Sequence, residues 1–88
     1  MTNREPPSTS PMGRLDAIDV GAKKLTIQTE FFVRPDWHLE TKVYLGGELK
    51  KVYSDPLDGV SDEQLQQVVN DFHQKWLDEI VAGLRNRS

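Results

Sequence analysis

The two histidines, His38 and His73, are the residues of this 88-residue chain best suited to moving a proton or holding a metal. Imidazole changes charge near neutral pH and ligates metals through either nitrogen. Around His38, the run Asp36-Trp37-His38-Leu39-Glu40 sets three ligand types at alternate positions. An extended backbone presents such positions on one side. A metal held there needs a fourth ligand from elsewhere. The plainer reading is a strand end with ordinary surface charges, and no metal site is assigned. His73 follows Phe72 in a helical pattern and falls angularly near Leu77 and Leu84. A structural or interface histidine is the preferred reading there over a catalytic base.

The remaining chemistry is sparse. There is no cysteine, so disulfides, thiolate metal sites and cysteine nucleophiles are excluded. No serine stands in a nucleophile-elbow motif. Of Asp55, Asp58, Asp62, Glu63, Asp71, Asp78 and Glu79, most lie in turns or on helix faces that water is expected to reach. Acid–base work needs a cleft to shift their pKa values, and a sheet with one helix offers little of one. The spacing from Asp55 to Asp62 lacks the ordered ligands and closing glutamate of a calcium loop. Gly46-Gly47 falls far short of a phosphate loop. No catalytic residue, cofactor or enzymatic activity is expected.

The longest regular pattern runs from Ser61 to about Arg85 and reads as one helix. Ser61 and Gln64 have capping-box spacing, and Asp62 and Glu63 suit the positive end of the helix dipole. Gly83 weakens the far end, so fraying is expected beyond Leu84. Leu65, Val69, Phe72 and Trp76 share one face at about 100° per residue. Leu77, Val81 and Leu84 centre roughly 100° further round. One thin sheet does not cover both faces. A second copy of the chain is the simplest cover, with Trp76, Leu77, Ile80, Val81 and Leu84 as the expected interface and Trp76 as its anchor.

Upstream, Lys23 to Arg34 alternates apolar and polar residues and reads as a half-buried strand. His38 to Leu45 alternates again, Gly46-Gly47 signals a hairpin, and Glu48 to Ser54 is the return strand. A three-residue loop is expected, setting Val43 opposite Leu49 and Leu39 opposite Tyr53, because register follows the buried face. Lys51 then falls on the core side. Arg14 to Val20 is ambiguous between a short strand and a turn of helix. Residues 1–13, with three prolines among Ser, Thr and Asn, read as a disordered tail, and residues 14–88 as one domain. The expected fold is α+β: a three-stranded antiparallel meander followed by one C-terminal helix on its apolar face, in the order β-β-β-α.

Size and charge bound the function. A domain this small is marginal without disulfides, metal or oligomerisation, and the absence of cysteine leaves oligomerisation open. A net charge of −3 argues against a general nucleic-acid binder, which needs a basic footprint. No apolar run approaches a membrane span and no secretory leader begins the chain, so a cytoplasmic protein with no membrane partner is expected. The first functional expectation is a non-enzymatic interaction or adaptor module, self-associating as a homodimer through its helix, with an unknown protein partner. The alternative is a nucleic-acid-binding accessory protein, using Phe32, Lys42, Tyr44 and Lys50 on the outer sheet face as a stacking platform above a basic groove. Glu30 and Glu40 interrupt that face. A charged face that keeps the sheet soluble is the plainer reading.

Overall fold

The computed structural model describes residues 5–87, with the side chains of residues 85–87 outside the description. It holds four strands and one long helix. The strands are β1 (Arg14–Val20), β2 (Lys23–Phe32), β3 (His38–Leu45) and β4 (Glu48–Pro56). A 3₁₀ turn (Asp62–Gln64) leads into α1 (Leu65–Arg87). The strands pair as an antiparallel meander in the order β1-β2-β3-β4. The α+β class with one C-terminal helix is therefore as expected, but the sheet has four strands and not three.

The fourth strand is the ambiguous stretch Arg14–Val20. Gly21 adopts φ +62°, which lets a two-residue turn bring Val20 opposite Lys23. The segment hides its strand character because its core-facing positions are Arg14, Asp16, Ile18 and Val20. Two of these are polar, so the apolar alternation that marks a half-buried strand is broken. Their partners on α1 are polar too: Arg14 Nη1 donates to Asn70 Oδ1 at 2.9 Å, and Asp16 meets His73.

The β3–β4 hairpin corrects the expected register. Gly46 and Gly47 have φ of 60° and 84°, the paired positive values that close a two-residue turn. Leu45 faces Glu48 and Tyr44 faces Leu49. The ladder then shifts, leaving Lys50 as a bulge, so Val43 stands opposite Lys51 and Leu39 opposite Asp55. The bulge returns Lys51, Tyr53 and Asp55 to the helix side and turns Leu49 and Val52 outward, each about half exposed.

Gln64 Oε1 accepts the Ser61 N–H at 3.0 Å, and the Gln64 N–H donates back to the Ser61 carbonyl. The helix thus begins at the expected place and runs to Arg87 across β1, β2 and β3. The core has two apolar clusters. One gathers Trp37, Leu39, Leu57, Leu65 and Val69. The other gathers Leu25, Ile27 and Val43, with Ile18, Val20, Leu77, Ile80 and Leu84 packed around them.

Residues 5–13 form no strand or helix, yet they lie along the body of the fold. Pro7 is buried. Trp37 Nε1 donates to the Glu5 carbonyl at 2.9 Å, and the Ser8 N–H to Asp62 at 3.2 Å. Gln66 holds the Met12 backbone from both sides, accepting its N–H at 2.8 Å and donating to its carbonyl at 3.1 Å. The rest of the expected tail, residues 1–4, lies outside the described residues. No helix among the described residues is long and apolar enough to cross a membrane.

Candidate functional site

Between the two apolar clusters lies a polar layer. On β2 it is Thr29, between Ile27 and Phe31. On β3 it is Thr41, and on α1 it is His73, between Val69 and Leu77. All three are fully buried. His73 Nε2 donates to Asp16 Oδ2 at 2.7 Å, since a carboxylate only accepts. His73 Nδ1 lies 2.8 Å from Thr29 Oγ1, which lies 2.9 Å from Thr41 Oγ1. With the ring neutral, Thr41 donates to Thr29 and Thr29 donates to His73. Every buried side-chain polar atom among the described residues is satisfied.

Acid, imidazole and hydroxyl in this order have the connectivity of a hydrolase triad. Access separates the two. A nucleophile must reach a carbonyl carbon, and Thr29 is wholly enclosed with Thr41 behind it. What the chain of bonds does is fix the one member that reaches solvent. The Asp16 side chain is 40% exposed, and its carboxylate is held in one orientation by an immobile ring.

Asp16 opens onto a groove of about 470 Å³ between β1 and the second half of α1. The helix wall is Leu77, Val81 and Ala82, with Asp78 at the rim; the strand wall is Asp16, Ala17 and Ile18. Asp78 is steadied from within the helix by Gln74, whose amide donates to it at 2.8 Å. The strand wall is also a sheet edge, because β1 pairs only with β2 among the described residues. The Gly46 N–H bonds the Lys24 carbonyl, so Lys24 directs its backbone towards β3. Backbone groups alternate along a strand, so Lys23, Leu25, Ile27 and Thr29 bond to Val20, Ile18, Asp16 and Arg14. The N–H and C=O groups of Leu15, Ala17 and Asp19 therefore point outward from the edge.

The residues expected at a helix interface are divided by the fold. Leu77, Ile80 and Leu84 are half-buried and packed on the sheet, which β1 makes wide enough to reach them. Trp76 stacks on Tyr53 with ring centroids 3.8 Å apart and donates to Asp55 at 3.2 Å. Val81 faces the groove. The four residues of the outer-face alternative are scattered. Phe32 stacks on His38 at one end of the sheet, and Tyr44 lies at the other, six residues along β3 or roughly 20 Å away. Lys42 lies between, beyond the facing pair Glu30 and Glu40. Lys50 is the bulge residue and pairs with Glu48 at 3.0 Å.

At the other histidine, His38 Nδ1 donates to the Asp36 backbone carbonyl at 2.7 Å, while Nε2 lies 3.3 Å from Glu40. The Asp36 carboxylate takes no part. No group of three or more His, Asp or Glu side chains placed to hold a metal occurs among the described residues. Sequence reading missed Asp16 as the partner of His73. Its only signal was a carboxylate at a core-facing position of a short alternating run.

The fold defines the class as a two-layer α+β meander, with one helix on one face and, among the described residues, no element on the other. Compared with protein-family models, curated proteins and solved structures, the chain matches none.

Proposed function

We propose that this protein is a small non-enzymatic interaction module that binds another polypeptide in the groove between β1 and α1. The observation that carries this reading is the pairing of two unmet demands at one place. Val81 and Ala82 offer apolar surface that the sheet does not reach. Beside them, the outward peptide groups of Leu15, Ala17 and Asp19 have no ladder partner in the sheet. Apolar surface and unpaired backbone together are what an incoming chain satisfies in one step. The enclosed Thr29 hydroxyl supports the non-enzymatic part, because the Asp16–His73–Thr29 set keeps its hydroxyl away from any substrate.

The test is selection of binding peptides from a displayed random library by the full chain. Binders that lose affinity on Val81→Glu and keep it on Lys42→Glu place the contact in the groove. The reverse pattern moves it to the outer sheet face and overturns the proposal. Circular dichroism on both variants confirms that the fold is retained.

A further inference from the structure

The groove has a chemistry of its own, and it narrows what can occupy it. Its charged lining residues are both carboxylates, Asp16 on the strand and Asp78 on the helix. The nearest cation on the same face of β1, Arg14, is turned to Asn70. Asp16 is not a floppy surface acid. A fully buried imidazole, itself held by Thr29, sets its direction. Such a preorganised charge costs little further ordering when a counter-charge arrives.

A second copy of this chain is a poor occupant. Two β1 edges paired in antiparallel fashion about Ala17 set Asp16 of one copy diagonally across from Asp16 of the other on the helix side, so that two carboxylate-lined grooves meet. Charge on an edge strand is a common device against such pairing. A basic strand meets the opposite situation.

We infer that the groove takes an extended peptide segment that joins β1 as a fifth strand and carries Lys or Arg two residues from an apolar side chain. This rests on the groove being the binding site. Residues directly opposite one another on paired strands share a face. A side chain opposite Ile18 therefore points to the helix side and packs against Leu77 and Val81. A side chain two positions away stands opposite Asp16 and within reach of Asp78. The outward groups of Leu15, Ala17 and Asp19 supply the main-chain bonds, and the two pockets supply the choice of sequence.

The probes are short capped peptides with a central Val-Ser-Lys in a serine-rich frame, and the same peptides with Ser or Glu in place of Lys. The inference expects the Lys peptide to bind about threefold tighter than the Ser peptide, the scale of an exposed ion pair. The Glu peptide is expected to be weakest. Asp78→Lys reverses that order without touching the Asp16–His73 bond. Ala17→Pro removes an outward N–H and leaves the β1–β2 ladder whole, so it weakens the Lys peptide about tenfold, the scale of a main-chain hydrogen bond and its neighbours.

Equal binding of the Lys and Glu peptides, or full binding to Ala17→Pro in a chain of unchanged melting temperature, overturns strand addition by a basic segment. A wild-type dimer in sedimentation that Ala17→Pro splits into monomers overturns it too, since the occupant is then a second copy, while the groove reading stands. Binding that ignores Val81→Glu removes the groove reading itself. Should Ala17→Pro fail to fold, the charge reversal at Asp78 decides alone.

Discussion

His73 is bonded to Asp16 across the sheet–helix interface, Nε2 to Oδ2 at 2.7 Å, with the ring wholly enclosed and the carboxylate 40% exposed. This bond ties the middle of α1 to the edge strand. It also closes a line of hydrogen bonds running from Thr41 through Thr29 to the surface.

That line is costly to cut and cheap to remove whole. Thr29→Val strips a partner from both His73 and Thr41 in a place water does not reach. The expected loss is about 1–3 kcal/mol, the penalty for unsatisfied buried groups. Replacing all three members, as Thr29→Val/Thr41→Val/His73→Leu, leaves no enclosed group unsatisfied, since water reaches the Asp16 carboxylate, and joins the two apolar clusters. The triple variant is expected to be more stable than Thr29→Val alone. Urea unfolding of both measures this. A triple variant less stable than the single one would show that the polar layer stabilises the fold directly.

Beyond its ladder with β3, the outer strand β4 is held to the helix through one tryptophan. Trp76 covers Tyr53 and donates to Asp55, tying the helix to the strand. Trp76→Ala is expected to cost about 2 kcal/mol, less than a fully enclosed aromatic. The loss should fall locally: amide exchange in residues 48–56 rises while β1 and β2 stay protected. Uniform loss of protection across the sheet would show that β4 unfolds only with the whole.

Residues 5–13 are expected to stabilise the domain. Deleting residues 1–12 removes the Glu5 carbonyl from Trp37 Nε1 and the Met12 backbone from the Gln66 amide, and uncovers the surface beneath Pro7. With partly exposed bonds, the expected loss is about 1–2 kcal/mol. Acrylamide quenching of Trp37, read in a Trp76→Phe background, should rise with it. A deletion variant with unchanged melting temperature and unchanged quenching would show the contacts to be passive.

Much of this structure was legible in the sequence, for physical reasons that also mark where reading failed. β2 and β3 were visible because Leu25, Ile27, Phe31, Leu39 and Val43 face an apolar core, so burial and alternation coincide. The start of the helix was visible because Ser61 and Gln64 interact within one turn. β1 was obscured because Arg14 and Asp16 face polar partners about 56 residues away along the chain. A buried polar pair carries no signal in one strand alone; only the meeting of both members gives it meaning. The hairpin register failed for a related reason. Pairing Leu49 with Val43 satisfied the apolar pattern, but the backbone of Gly46-Gly47 favoured the tight turn, and a bulge at Lys50 restored the faces afterwards. The groove was hidden entirely, since it is made by β1 and α1 together.

The order of the strands bears on how the chain is made. Each strand pairs with its neighbour in sequence, and two of the turns take only two residues. Such contacts are local and close quickly. On a ribosome the sheet is complete before its cover exists, because the helix that buries Leu25, Ile27, Leu39 and Val43 follows all four strands in the chain. For the time needed to add α1, the nascent chain presents a bare apolar sheet with two open edges. That is the stage at which it is most exposed to aggregation, and the stage at which a holding chaperone has most to act on.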